Sequence, residues 1–333
     1  MKRKLATALV IIAVIITAVV WVIHAVRTPI VLAEPVSVTI VKGDKAAQIA
    51  AKLDQAGLLR SRWLFIELAR WRRIDRNLRP GRYRFSGPTS MRGILDDLRS
   101  GRAVVVTVTI PEGWTIARMA PHLSAQLGFD SAAFVSATRD SAMIRHAGTR
   151  DGRLEGYLWP ETYQFYWGVE PREVVLRMVD AARHIFTDSL EERARALRMD
   201  RHMTLTLASL IEAEAAAGNE RTRISGVFHN RLAQGMLLQC DPTVIYALGG
   251  LPNGRLLQEG DLTYDSPYNT YMYPGLPPGP IGNPGMASIA AALYPDSTKD
   301  LYFVADGHGG HIFSRTLEAH NRACVLVKRA HNR

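Results

Sequence analysis

The chain is poor in cysteine: only Cys240 and Cys324 occur among its 333 residues. This scarcity excludes a small scaffold held together by disulfides, which needs cysteine at high density. The two cysteines lie far apart without metal-ligand spacing, and the sequence does not place their sulfurs within bonding distance, so we expect free, buried thiols. His308, His311 and His320 also lack a carboxylate or cysteine at a recognisable ligand spacing. We therefore expect no metal and no other cofactor.

Acidic residues are scarce in the first third of the chain. Residues 1–102 contain 7 Asp and Glu against 19 Lys and Arg, whereas the remainder contains 24 against 22. A basic block of this size could contact nucleic acid, anionic lipid headgroups or an acidic cell-wall polymer. The alternative is a solvated basic face with no partner.

Charged residues are absent from residues 5–26, an apolar run about as long as a helix needs to cross a bilayer. Lys2, Arg3 and Lys4 precede the run, and only Arg27 follows it closely. The positive-inside rule then places the N-terminus in the cytoplasm and the rest of the chain outside it. We predict a single-pass inner-membrane protein that contacts lipid through residues 5–26 and binds no nucleic acid. A cleaved signal peptide is the alternative, although the run is longer than a usual signal core.

A strand, a glycine turn and a helix follow one another twice in the N-terminal half. The sequence VTIVKG at residues 38–43 is matched by VTIPEG at residues 108–113, and apolar residues at helical spacing follow each copy. The first copy resembles the glycan-binding LysM module, and a structural spacer is the alternative. We predict a cytoplasmic tip and transmembrane anchor (1–27), a linker (28–35) and one or two small LysM-like α/β domains (36–125).

Helical patterns dominate the remainder, which we predict to be a mainly helical α+β catalytic domain over residues 126–333. The helices are expected at residues 170–197, 203–217 and 221–232. Asp241-Pro242 and Asn283-Pro284 each resemble a helix N-cap followed by proline. Residues 302–305 and 311–313 flank a glycine-rich turn and predict a C-terminal β-hairpin. The predicted fold class is therefore α+β.

Glu212 is a candidate general acid, because it sits in a run of Leu and Ala that favours a helix. Burial among apolar side chains raises the pKa of a carboxyl group, so that it can hold a proton near neutral pH. A step of two residues turns a helix by about 200°, so Glu212 and Glu214 face different ways. Glu212 shares its face with small residues that a substrate could approach, and Glu214 shares its face with bulkier ones. We predict that Glu212 reacts and Glu214 supports it; two solvated charges are the alternative.

The segment over residues 264–279 is too rich in Pro and Gly for a helix and too rich in Tyr for a disordered linker. Tyrosine and asparagine in a rigid loop suit a sugar, because they offer flat apolar faces and hydrogen-bonding edges. The alternative is an ordered connecting loop.

Eight motifs occur in one order: LEGYLWPETY (154–163), LASLIEAE (207–214), VFHNRL (227–232), LQCDPTVIY (238–246), YNTY (268–271), GLPPGPI (275–281), NPG (283–285) and YFVA (302–305). Together they resemble the endolytic murein transglycosylases, the MltG or YceG-like family of membrane-anchored cell-wall enzymes. Cys240 stands where the family usually has a small polar residue, and His308 stands where lysine is common.

The resemblance implies a lytic transglycosylase that cuts nascent peptidoglycan strands between MurNAc and GlcNAc and leaves an anhydroMurNAc end, which terminates elongation. The catalytic glutamate of the family is taken as the first of the I-E-x-E pattern, which is Glu212. It would protonate the glycosidic oxygen and then take the proton of the muramic acid C6 hydroxyl, so one carboxyl would suffice where a hydrolase needs two. The residues expected around the saccharide are Glu214, Asn230, Gln239, Tyr268, Asn269 and Tyr271, with Glu155 and His311 nearer the edge.

Two other functions stay open from the sequence. One is a muramidase that hydrolyses the same bond with water. The other is a membrane-anchored peptidoglycan-binding scaffold without catalysis, in which Glu212 is structural. The expected partners are peptidoglycan strands and membrane lipid, and cell-wall synthases are candidate partners.

Overall fold

A computed structural model describes residues 2–215, 218–251 and 255–331, without the side chains of residues 2–8, 10, 218, 330 and 331. The chain divides into two compact units. The first comprises Met1–Thr107, Gln126–Phe129 and Gln164–Glu170, and the second comprises Val108–Ala125, Asp130–Tyr163 and Pro171–Arg333.

The first unit contains an N-terminal helix, a β–α–α–β arrangement and one further helix. Strands β1 and β2 pair antiparallel, with Val38 opposite Tyr83. Alternate residues of β2 are buried, as expected for a strand with one face on the core. The bounds are α1 Lys2–Arg27, β1 Val36–Ile40, α2 Ala46–Gln55, α3 Arg62–Trp71, β2 Gly81–Phe85 and α4 Met91–Ser100. The LysM-like identity of this arrangement stays a prediction.

Helix α1 covers the predicted membrane anchor over residues 5–26, although several side chains of that span lie outside the described residues. Across the part of the chain that is described, no helix is long and apolar enough to cross a membrane. The predicted anchor is therefore not confirmed.

Strands β3 (Val105–Thr109) and β4 (Thr162–Tyr166) form a two-stranded sheet. The second copy of the strand–turn–helix repeat, residues 108–125, groups with the second unit. Its helix α5 covers Ile116–Leu127.

The second unit is built around α10, which spans Arg201–Glu214. The helix begins at an N-cap, where the carboxylate of Asp200 accepts a hydrogen bond from the backbone N–H of Met203 at 2.8 Å. Every residue from Thr204 to Ile211 is buried, so this helix is surrounded by protein. The other helices of this unit are α6 Ser131–Ala137, α7 Ser141–Ala147, α8 Pro171–Ile185, α9 Asp188–Ala196, α11 Arg221–Ala233, α12 Asp241–Ala247, α13 Met286–Leu293 and α14 Leu317–His331.

The predicted C-terminal hairpin is confirmed by β5 (Tyr302–Ala305) and β6 (His311–Ser314), which pair antiparallel. The carboxylate of Asp306 closes the turn, because it accepts the backbone N–H groups of His308 at 2.7 Å and Gly310 at 3.0 Å. Small sheets within a mainly helical chain confirm the predicted α+β class.

Two helix starts differ from the sequence prediction. Helix α12 has Cys240 as its N-cap and Asp241 as its first residue. Helix α13 begins at Met286, with Gly285 as its N-cap. Asn283 is therefore not a cap: its side chain is completely buried and bonds to distant parts of the unit.

Candidate active site

A cavity of about 590 Å³ lies in the second unit, at the C-terminal end of α10 and beside the hairpin. This volume falls in the range of pockets that hold small ligands in proteins. Its walls combine carboxylates, imidazoles and aromatic rings, which is the chemistry that a polar saccharide requires. The lining residues are Glu214, Arg231, Gln239, Asp241, Tyr271, Tyr302, Phe303, Val304, Ala305, His311, Leu317, His320, Asn321 and Cys324.

Glu214, the last residue of α10, contributes a carboxyl group to this cavity. Burial raises the pKa of Glu214 to about 7, and the negative charge of Asp241 acts in the same direction. A hydrogen bond with the Cys240 thiol and the charge of His311 act against this rise. Glu214 can therefore both give and take a proton near neutral pH.

The two cysteines are free. Cys240 is buried beside Glu214, and burial raises the pKa of its thiol well above the ordinary value. Cys324 is only half-buried and lines the cavity, so the expectation of two buried thiols holds for Cys240 alone.

Glu220 holds His311 in place from two sides. One carboxylate oxygen accepts the backbone N–H of His311 at 3.0 Å, and the other lies 2.8 Å from its ring Nδ1. The edge of Phe303 packs against the imidazole, with the ring centroids 5.2 Å apart at 87°. His311 therefore presents a fixed ring at the cavity wall.

Tyr271 and Gln239 also reach the cavity, each with a defined partner. The Tyr271 hydroxyl donates to the Asp241 carboxylate at 2.5 Å. The Gln239 carbonyl accepts from the Arg231 guanidinium at 3.3 Å, and the Gln239 backbone lies in the left-handed region at φ 51°. Of the nine predicted site residues, this cavity brings together Glu214, Gln239, Tyr271 and His311.

Glu212 lies elsewhere, in an ion cluster of its own. Its side chain is 8% exposed and accepts hydrogen bonds from Arg221 and from the backbone N–H of Gly285, both at 3.1 Å. The carboxyl of Glu112 packs against the Cα of Gly285, and burial together with the negative charge of Glu212 raises the pKa of Glu112. Glu212 is not among the residues that line the cavity.

The small-residue face of α10 explains this placement. Because Ser209 and its neighbours are small, the loop over residues 281–285 approaches the helix closely. The Ser209 hydroxyl accepts the backbone N–H of Ile281 at 3.0 Å, and Glu212 binds Gly285 one turn further along. The loop therefore covers the Glu212 face of α10, which the sequence predicts to meet the substrate.

Glu155 is buried behind the same loop. Its carboxyl accepts the Asn283 amide at 2.8 Å and the backbone N–H of Ile116 at 3.0 Å. Burial raises the pKa of Glu155 to about 7, although these hydrogen bonds and one from Tyr246 act against the rise. Glu155 supports the loop and does not line the cavity.

This raised pKa predicts that Glu155 makes the fold less stable as the pH rises. Folding favours its protonated form, so its contribution is complete below the unfolded value of 4.5 and is lost as the pH rises through about 7. The loss amounts to about 3 kcal/mol. We expect Glu155→Gln to reduce the fall in unfolding free energy between pH 4.5 and pH 8, measured by urea titration of both proteins. An equal fall in both would contradict the assignment.

Three other predicted residues support the backbone outside the cavity. The Asn230 amide donates to the carbonyls of Thr298 and Asp300 at 2.9 and 3.0 Å. Asn269 is completely buried and donates to two loop carbonyls at 2.8 and 2.9 Å. Tyr268 is buried and packs against Tyr246. Sequence alone does not distinguish such amides from amides that bind a sugar, because both bind carbonyl groups.

Among the groups that the sequence does not predict at the site are Asp241 and Arg231, which line the cavity, and Glu220, which contacts His311 behind it. The sequence predicts Asp241 to be a helix cap, and Arg231 lies in the VFHNRL motif with no pattern that marks it as a cavity residue. The one sequence signal for Glu220 is its position just after the predicted end of α10. Within the described ranges, no group of three or more His, Cys, Asp or Glu side chains could hold a metal ion.

The YceG-like family matches residues 38–325 of this chain. The chain belongs to the YceG-like family. It is 32% identical over 303 residues to the endolytic murein transglycosylase of Bacillus subtilis strain 168, covering 86% of this chain and 83% of that relative. The endolytic murein transglycosylase of Streptococcus pneumoniae strain D39 is 30% identical over 318 residues. That match covers 86% of this chain but only 57% of the pneumococcal relative.

A solved structure also resembles this member of the YceG-like family. It is the crystal structure of a YceG-like protein from Listeria monocytogenes, 34% identical, with a TM-score of 0.61. The similarity covers 87% of this chain and 98% of the Listeria chain. The resemblance read from the sequence motifs is thus confirmed at the level of the family.

Proposed function

We propose that this YceG-like protein is an endolytic murein transglycosylase, a lyase that cuts peptidoglycan strands internally between MurNAc and GlcNAc. The observation that carries the proposal is a carboxyl group with a pKa of about 7, Glu214, in the wall of a 590 Å³ cavity with polar and aromatic sides. The names of the Bacillus and Streptococcus relatives support the same activity.

The reaction needs a proton donor at the glycosidic oxygen and no external water. Glu214, protonated, donates to the leaving oxygen as the bond to the muramic acid anomeric carbon breaks. The C6 hydroxyl of the same muramic acid attacks that carbon and closes the anhydro ring, and its proton passes to the carboxylate that Glu214 has become. A hydrolase would instead activate water with a second carboxylate.

Glu214 suits the role of the proton donor better than Glu212, the residue that the sequence favours. Glu214 lines the cavity and has the raised pKa that a general acid needs. Glu212 is bound to Arg221 and to the Gly285 backbone beneath a loop, so both of its carboxyl oxygens already accept hydrogen bonds from the protein. We therefore propose Glu214 as the acid and Glu212 as part of the ion cluster that fixes the end of α10.

The remaining cavity groups fit a saccharide. Tyr271 offers an aromatic ring to a sugar, and Gln239 and Asn321 offer amides to hydroxyl and N-acetyl groups. We propose that these side chains hold the two sugars on either side of the bond that is cut.

Hydrolysis by a muramidase is the second candidate, because Asp241 places another carboxylate in the same cavity. The Tyr271 hydroxyl already donates a hydrogen bond to one oxygen of Asp241. A third candidate, a peptidoglycan-binding scaffold without catalysis, rests on the resemblance of residues 38–43 and the helix after them to the LysM module.

Product analysis separates the three candidates. We expect the full chain, incubated with purified peptidoglycan, to release fragments that mass spectrometry identifies as anhydroMurNAc-ended. Reducing ends would support the muramidase and overturn the lytic reaction. Binding without any released fragment would support the scaffold.

We also propose that the enzyme works at the inner membrane, with residues 5–26 as its anchor and the catalytic unit outside the cytoplasm. The support is the uncharged run flanked by Lys2, Arg3 and Lys4. The basic first unit would then lie near anionic lipid and nascent strands, where cell-wall synthases are candidate partners.

A further inference from the structure

Glu220 and His311 form a carboxylate–imidazole pair at the cavity that contains Glu214. The Glu220 carboxylate contacts the histidine twice: one oxygen accepts the backbone N–H of His311 at 3.0 Å, and the other lies 2.8 Å from its ring Nδ1. The His311 side chain is only 7% exposed and the Glu220 side chain 19%. Such an arrangement fixes the tautomer of an imidazole, because the bound nitrogen keeps its hydrogen.

The other ring nitrogen of His311 is therefore left to accept a proton. With Nδ1–H donated to Glu220, Nε2 carries a lone pair. Among the described residues, none forms a hydrogen bond with Nε2. His311 lines the same cavity as Glu214, so one bound substrate can contact both side chains.

We propose that His311 is the general base of this enzyme and that Glu220 is its positioning residue. His311 Nε2 takes the proton of the muramic acid C6 hydroxyl while Glu214 protonates the leaving oxygen. This proposal rests on the proposed lytic activity and divides between two groups the acid and base tasks that one carboxyl would otherwise perform in turn.

Bonds and protons balance in this step without water. The O–H bond of the C6 hydroxyl breaks, its proton goes to Nε2, and its electron pair forms the new bond to the anomeric carbon. The bond from that carbon to the leaving oxygen breaks, and the oxygen takes the Glu214 proton. The proton then returns from His311 to Glu214 through solvent, which restores both groups.

Charge compensation favours this division of tasks. Once Glu214 has given up its proton, a buried carboxylate is left, which burial disfavours. A positive charge on His311 stabilises that carboxylate, since the charge of His311 acts to lower the pKa of Glu214. A proton taken up by His311 therefore appears where it offsets the new negative charge.

The test compares His311→Ala and Glu220→Gln with wild type, using the full chain and soluble glycan strands. We expect His311→Ala to lower kcat by about 100-fold or more, as removal of a general base does. Glu220→Gln should lower kcat by about 10-fold or more with little change in KM, and Glu220→Asp should restore part of it. Because the two residues act as a unit, the double variant should be no slower than His311→Ala alone.

Imidazole rescue provides the decisive readout. Added imidazole should restore part of the activity of His311→Ala, since the emptied position adjoins a cavity that can admit it. His308→Ala is the matched control, because His308 is exposed in the same hairpin and should leave kcat unchanged. His311→Gln replaces the alanine variant if thermal melting shows the latter to be unfolded.

Two results would overturn the dyad: His311→Ala with kcat within about threefold of wild type, or a loss of activity that imidazole does not restore. A failure of the proposed lytic activity would show in the products of the wild type. Reducing ends from the wild type would refute that assignment, whereas an imidazole-rescued His311→Ala would still support His311 as the base, acting then on water.

Discussion

Glu214→Gln is expected to lower the rate of glycan cleavage by about 1,000-fold, the scale on which a positioned general acid contributes to catalysis. Glutamine keeps the size of the side chain and can still accept the Cys240 hydrogen bond, but it carries no acidic proton. The substitution also removes a buried group that titrates near pH 7, so we expect the fold to persist. The measurement is kcat/KM on soluble glycan strands, with thermal melting to verify folding.

Glu212→Gln is the matched control, because it makes the same chemical change two residues away on the same helix. It removes one charge from the ion cluster with Arg221 and Glu112 and leaves the cavity wall unchanged. We expect a lower melting temperature and a cleavage rate within about tenfold of wild type. An inactive Glu212→Gln beside an active Glu214→Gln would return the acid role to Glu212.

Asn283→Ala is expected to destabilise the second unit by about 4 kcal/mol, because it leaves several buried polar groups without hydrogen-bond partners. The Asn283 side chain is completely buried and accepts the backbone N–H of Leu158 at 2.9 Å. It donates to the Trp114 carbonyl at 2.9 Å and to Glu155 at 2.8 Å. Alanine satisfies none of these groups and leaves a cavity that is too confined to solvate them all.

Chemical unfolding of the full chain measures this effect. Asn219→Ala is the control, since Asn219 is exposed in the second unit and should change the unfolding free energy by less than about 0.5 kcal/mol. If Asn283→Ala lowered the unfolding free energy by less than about 1 kcal/mol, the loop over residues 281–285 would not be held by this amide.

Local periodicity made the elements of the fold predictable. The predicted helix over residues 221–232 is α11 (Arg221–Ala233), and the two hairpin strands coincide with the runs predicted over residues 302–305 and 311–313. The helix expected over residues 203–217 is α10, which ends at Glu214; two residues of that prediction, 216 and 217, lie outside the described residues. Because these patterns depend only on residues a few positions apart, they can be recognised in a single sequence.

The site was less predictable, because its walls come from remote parts of the chain. Helical geometry separated Glu212 from Glu214 correctly, but it could not say which face meets the cavity. That depends on the loop before α13, which covers Glu212, and on the hairpin that brings His311 to Glu214. The sequence predicts that the small side chains on the Glu212 face leave room for substrate, whereas in the structure they let the backbone of residues 281–285 approach the helix.

Digestion of purified peptidoglycan in heavy-oxygen water tests the central claim most directly. If the C6 hydroxyl of the substrate attacks in place of water, the new ends released by the wild type contain no heavy oxygen. Glu214→Gln, treated in parallel, should release almost no ends of any kind. Heavy oxygen in the new ends of the wild-type products, or comparable release by Glu214→Gln, would contradict a lytic reaction in which Glu214 supplies the proton.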